Sequence, residues 1–240
     1  GPSLDKQIPY LKTLQHQCLL FAPSSALTAL SHHGIVPHFA VFIDPTEQLL
    51  INTEKHCAFE TPLFYRLRTY HPSVSRHQGP RLLVSGSGQS YPISLWMDQK
   101  LQIPKYPILS EGISSSTFAL SIAHSMGCNP IIFTGLDLSY TDSKNYASHI
   151  DSEQKMPSQI KKVDCLDIKG NPIASKSYWI TESAWIAKYC KERPETRWIN
   201  ASEGGIGIKG VENKTLHEAI EEKPLKNADL AGKIHSAIAQ

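Results

Sequence analysis

The residues best equipped for chemistry in this 240-residue chain crowd into one tract, Ser110 to Tyr146. Its acid, Asp137, comes just after the β-branched and aromatic run Ile131-Ile132-Phe133-Thr134 and Gly135. Tyr140, Asn145, Tyr146 and His149 follow it closely. A carboxylate past a strand's carboxyl end binds ribose hydroxyls, holds Mg²⁺ or takes up a proton. An imidazole close behind it suits proton transfer near neutral pH. Asp137 and His149 are therefore the candidate catalytic residues. Each also has a plain reading: a loop aspartate caps the next turn, and His149 is one of 11 histidines.

Four further groups suit a phosphorylated or ribosylated ligand. Ser114, Ser115 and Ser116 open a helix, where free amides and hydroxyls are available. Ser24 or Ser25 caps another helix after a short apolar strand. Asp44 follows the apolar run Phe39–Ile43, as Asp137 follows its own. Gly1, Pro2 and Ser3 form a turn ahead of a helix, the setting in which backbone amides meet phosphate. The alternative for Gly1-Pro2 is a remnant of cloning, with Ser3 a simple N-cap. Such a turn normally follows a strand, so the expectation is that the first strand lies upstream of residue 1 in a longer protein. Ser85-Gly86-Ser87-Gly88 resembles a dinucleotide fingerprint, but Tyr91-Pro92-Ile93 is a poor helix start and a plain turn is the better reading. Asn200-Ala201-Ser202-Glu203-Gly204-Gly205 reads equally as a tight turn or a site wall. Tyr178, Trp179, Trp185 and Tyr189 read as core, and His32 and His33 as the end of a helix, where they complement its dipole.

These groups need a frame of alternating strands and helices. Helical spacing predicts Asp5–Gln15, with Ile8, Leu11 and Leu14 inward, then Ser24 to about His33, the tract from Ser114 to Met126 closed by Gly127, and Trp179–Glu192. Strands are predicted at 18–22, 39–43, 81–85, 131–134 and 197–200. All-apolar strands between helices argue for an α/β fold with a mostly parallel sheet covered on both faces. The segment after Asp44 carries no clear period until Arg81. The stretch 139–176 exceeds ordinary loop length and is expected to be a lid or partly disordered. From Leu216 onward the chain predicts terminal helices. The expected organisation is a nucleotide-binding domain over 1–213 and a helical tail over 214–240.

Composition narrows the class further. Hydrophobic content of 40% and charged content of 19% fit a folded globular domain. A formal net charge of +2, with no basic stripe interleaved with aromatics, argues against nucleic acid as partner. No apolar run approaches the ~20 residues that span a bilayer. The five cysteines are odd in number and widely spaced, without CxxC, which fits free thiols and a cytoplasmic setting better than disulfides or zinc.

Four segments together resemble a known family: GPSL at the start, FIDP at 42–45, GISSSTFALSIAHSMGCNPIIFTGLDLSY at 112–140 and INASEGGIGIKG at 199–210. They resemble the domain shared by the bacterial motility accessory factors, which are flagellin nonulosonic-acid glycosyltransferases, and the archaeal 6-hydroxymethyl-dihydropterin pyrophosphokinases. The order of motifs is also similar to that of bacterial CMP-sialic-acid-dependent sialyltransferases. The resemblance implies a Rossmann-like fold, with Gly1 to Ser3 near nucleotide phosphates and Ser114 to Ser116 at base or ribose. It also implies that Gly135 and Asp137 line the cleft; Tyr140 and Tyr146 join the expected ligand contacts. One departure is plain. The sialyltransferases carry a histidine before the helix that starts here near Trp179, and Ala174-Ser175-Lys176-Ser177 stand in its place. The implied activity is glycosyl transfer from a CMP-activated nonulosonic acid to a protein or small-molecule acceptor. The alternatives are pyrophosphoryl transfer from ATP to a hydroxymethyl pterin, or a non-catalytic module. Mg²⁺, held by Asp44 and Asp137, enters only with the ATP reading.

Overall fold

The computed structural model describes residues 1–55, 58, 60–84, 92–102, 112–140, 147–148, 161–222 and 226–239. In chain order the elements are α1 (Leu4–Leu14), β1 (Phe21–Pro23), α2 (Ser24–His32), β2 (Phe39–Phe42), α3 (Gln48–Thr53), β3 (Leu63–Tyr65), α4 (His71–Ser75), β4 (Arg81–Leu83), α5 (Pro92–Lys100) and α6 (Ser115–Ser125). They continue with β5 (Ile131–Phe133), β6 (Val163–Leu166), β7 (Pro172–Ser175), α7 (Ser177–Lys191), β8 (Trp198–Asn200), β9 (Glu212–Asn213), α8 (Leu216–Glu221) and α9 (Leu230–Ile238). The chain divides into two units, each built from two stretches. The first holds Gly1–Cys18 and Gly127–Ala228; the second holds Leu19–Met126 and Asp229–Gln240. The 214–240 tail is thus shared, α8 belonging to the first unit and α9 to the second.

The second unit is a four-stranded parallel sheet in the order β1-β2-β3-β4. Register is fixed by Phe21 opposite Phe39, Ala40 opposite Leu63, and Leu63 opposite Arg81. All four residues of β2 are buried, as expected of a central parallel strand covered on both faces. α6 packs on β1 and β2, where Phe118, Ala119 and Ile122 meet Val41 and Ile43. The aperiodic segment after Asp44 contains α3, β3 and α4. These elements are five or six residues for the helices and three for the strand, too short to show a period.

The first unit carries a parallel sheet in the order β5-β8-β9 and an antiparallel pair, β6 with β7. α1 buries Leu4, Gln7, Ile8, Leu11 and Leu14, the inward face its spacing predicts. The pair β6–β7 lies inside the stretch that the sequence left without elements; the alternation in Val163–Leu166 is only four residues long. Much of that stretch, 141–146 and 149–160, falls outside the described residues, as does the glycine-rich motif at 85–90. Among the described residues no helix is long and apolar enough to cross a membrane.

Candidate functional site

In the first unit the carboxyl edge of β5 and β8 is a buried polar knot. Asp137, four residues past β5, is 1% exposed and Ser3 is 4% exposed. The Ser3 N–H donates to Asp137 Oδ2 at 3.0 Å, and the Ser3 hydroxyl donates to Oδ1. The Gly1 nitrogen donates to the Gly135 carbonyl. The Asp137 carboxylate thus caps the start of α1, where the helix dipole favours negative charge, through hydrogen bonds of the stronger, charge-assisted kind. The amides of this first turn are spent locally: Leu4 N–H donates to Gly1 O at 3.3 Å and Asp5 N–H to Pro2 O at 3.2 Å.

The NASEGG loop after β8 closes on the same knot. Ile206 N–H donates to Asp137 O at 3.0 Å, and Leu136 N–H donates to Ser202 Oγ at 3.0 Å. Gln7 Nε2 donates to Ala201 O. Gly205 sits at φ +76° with its Cα so close to Asp137 that a Cβ would stand 1.9 Å from the Asp137 carbonyl oxygen. Only glycine fits there. Two non-glycine residues flank the knot in the left-handed region, Leu138 at φ +53° and Glu203 at φ +59°. Strain of this kind gathers where a loop is held for function. Beyond Leu138, the buried Ser139 Oγ has no partner among the described residues. Ser175 Oγ donates to Leu138 O at 2.7 Å, and Tyr140 N–H to Ala174 O at 2.8 Å, which ties the loop to β7. The Tyr140 ring lies against Trp179, centroids 5.1 Å apart. Tyr178 is 48% exposed and Trp179 is half-buried, so the reading of both as core is corrected. Both stand in the first turn of α7, ahead of its first buried residue, Glu182, although helical spacing puts them on the face that further on buries Ile186, Tyr189 and Cys190. Tyr146 and His149 lie outside the described residues.

In the second unit the carboxyl edge of β1–β4 gathers a different set. Ser24 is the first helical residue of α2, directly after β1, with Pro23 rather than a serine in the capping position. Asp44, half-buried two residues past β2, accepts from Thr46 N–H at 2.8 Å and from the Thr46 hydroxyl at 2.7 Å through Oδ1. Ser114 caps α6, accepting from Thr117 N–H at 3.1 Å while its own N–H donates to Thr117 Oγ1 at 2.8 Å. Ser115 and Ser116 form the first turn, half-buried, with no acid among them. Because Phe118 packs with Ile43 and Val84, this turn stands at the carboxyl ends of the strands, the ligand position in open parallel sheets. Arg66 stands on the same edge, immediately after β3 and 2% exposed. It donates from Nη1 to Val84 O at 2.8 Å and lies 4.8 Å over the Phe118 ring. Sequence reasoning missed Arg66 because β3 is too short to announce itself; a basic residue straight after Leu63-Phe64-Tyr65 was the available signal.

The expected site residues therefore fall into two sets. Gly1, Pro2, Ser3, Gly135, Asp137 and Tyr140 belong to the first unit, and Ser24, Asp44, Ser114, Ser115 and Ser116 to the second. Among the described residues no three of His, Cys, Asp and Glu gather as metal ligands would.

Against known proteins, the fold is similar to that of a Maf glycosyltransferase from Magnetospirillum magneticum AMB-1, with a TM-score of 0.74 at 15% identity. That likeness covers 100% of this chain and 35% of the other, so the chain spans about a third of that enzyme's length. It shows a shared α/β fold. No curated protein sequence matches the chain. The family model described as 6-hydroxymethylpterin diphosphokinase MptE-like matches residues 1–143, which include the GPSL turn, Asp44, the α6 serines and Asp137. With more than half its length matched, and with those motifs on the edges just described, the chain belongs to the MptE-like family.

Proposed function

We propose that the chain is a nucleotide-dependent transferase domain that passes a glycosyl group from a CMP-activated nonulosonic acid to an acceptor hydroxyl. The observation that carries the reading is the second unit's carboxyl edge, where Ser24, Asp44, Arg66 and the first turn of α6 share one parallel sheet. In this reading Ser114 to Ser116 receive base or ribose and Asp44 the ribose hydroxyls. The acceptor hydroxyl attacks the anomeric carbon, its proton passes to a base, and the nucleotide phosphate leaves. His149 takes the role of base, on its chemistry alone. Asp137 is a positioning residue: with both oxygens on Ser3, it holds the Gly1–Ser3 turn and the NASEGG loop in place. The likeness in fold to a glycosyltransferase supports this reading.

The second reading, pyrophosphoryl transfer from ATP to a hydroxymethyl pterin, is favoured by the description of the family. It calls for Mg²⁺, and the donor set does not fit the pair Asp44 and Asp137. Asp137 has both oxygens engaged by Ser3, and Asp44 has Thr46 on one of its own. A thermal-shift panel of CMP, CDP, ATP and AMP, each with and without Mg²⁺, separates the readings. A ligand at ~100 times its Kd stabilises the folded state by about 2.7 kcal/mol, a clear shift. Metal-independent stabilisation by CMP is the expected result. Stabilisation by ATP only with Mg²⁺ replaces the proposal with the pyrophosphokinase, and silence from all four leaves the non-catalytic module.

A further inference from the structure

Two lysines in the first unit lie against one tyrosine ring. Lys176, the residue before α7, places Nζ 3.8 Å from the Trp179 ring centroid and 5.7 Å from that of Tyr140. Lys162, just before β6, places Nζ 4.8 Å from the Tyr140 centroid. The two rings are tilted 58° to each other, and Tyr140 is fixed by its backbone bond to Ala174. Neither ammonium has a carboxylate within ion-pair distance among the described residues. The first turn of α7 carries no acid either. Two other lysines of the same unit do meet carboxylates: Lys214 stands 2.9 Å from Glu212, and Lys188 stands 3.8 Å from Glu192.

Withdrawing an ammonium from water without a counter-ion is costly. Lys176 is half-buried, and burial pushes its pKa down. Aromatic faces recover part of that cost, but a ring is no counter-charge. Two cations with no carboxylate beside them among the described residues, against two partly open rings, are complementary to an oxyanion joined to a flat or apolar ring. We infer that Lys162, Lys176, Tyr140 and Trp179 form a binding subsite for the phosphate or carboxylate of a ring-bearing ligand, with the lysines meeting the charge and the aromatics the ring. The subsite deepens the transferase reading, on which its place beside the substrate rests.

The test is calorimetric titration of the full chain at low salt with CMP, ATP plus Mg²⁺, inorganic pyrophosphate and glucuronate. Cytidine serves as the uncharged control. The expected result is that at least one anion binds, that Lys176→Gln weakens it about tenfold and that Lys162→Gln weakens it about threefold. Lys176→Arg restores most of the affinity, and Lys188→Gln, at an exposed ion pair, changes nothing. Unaltered circular dichroism of each variant keeps the comparison one of binding. Pyrophosphate or glucuronate as the lysine-dependent ligand assigns the oxyanion to a phosphate or to a carboxylate. Equal affinity in wild type and Lys176→Gln overturns the subsite, and so does the binding of no anion at all. CMP binding without a lysine effect overturns the subsite and leaves the transferase reading standing. Lysine-dependent binding of ATP with Mg²⁺ alone keeps the subsite and overturns the transferase reading.

Discussion

At the scale of single residues, Asp137 is the pivot. Its position after an apolar strand reads as a free acid awaiting a substrate, whereas the folded chain closes Ser3 onto both of its oxygens and Gly205 onto its carbonyl. Replacing it with alanine leaves the buried Ser3 amide and hydroxyl without their acceptor. The expected cost is about 1–3 kcal/mol of stability, measured as a lower urea midpoint, with nucleotide affinity falling in step. A variant that kept full stability yet lost all turnover would instead make Asp137 a reacting group. Lys176 is the converse case. In the sequence it is one of four residues, Ala174 to Ser177, noted together, and its significance comes from the two rings beside it.

At the scale of elements, α6 shows how a local rule serves a site. Ser114 and Thr117 cap each other's backbone, which starts the helix at one residue and fixes where Ser115 and Ser116 stand. Ser114→Ala removes that cap and is expected to cost about 1 kcal/mol, visible in thermal unfolding. Nucleotide binding should weaken as well, since the first turn frays. Loss of stability without any change in binding would remove α6 from the ligand site. The helix and its strand β5 were legible in the sequence because eleven helical residues carry a period and Ile131-Ile132-Phe133 is wholly apolar. The elements α3, β3 and α4 were not, because three to six residues cannot display one.

At the scale of the molecule, two parallel sheets rest on buried polar anchors as much as on apolar packing. In the second unit His77 is 2% exposed, its Nε2–H directed at the Thr61 carbonyl. Burial is the main cause that lowers its pKa below the ordinary 6.5. The unfolded chain takes up a proton there as pH falls below about 6.5, and the folded chain does so only at lower pH. Stability from this group is present above that pH and is lost progressively below it. Urea midpoints at pH 7.5 and 5.5 should show the decline, and His77→Gln should flatten it; an unchanged slope would assign the pH dependence to other groups. By itself the sequence determined the α/β class, the main strands and helices, the family and most of the residues on the two carboxyl edges, because periodicity, capping and turn chemistry act over a few neighbours. Only the tertiary structure decided that Asp137 belongs to Ser3, that Arg66 stands beside Phe118, and that Lys162 and Lys176 both meet the Tyr140 ring. Those pairings join residues far apart in the chain, and no local pattern encodes which distant partner a side chain will meet.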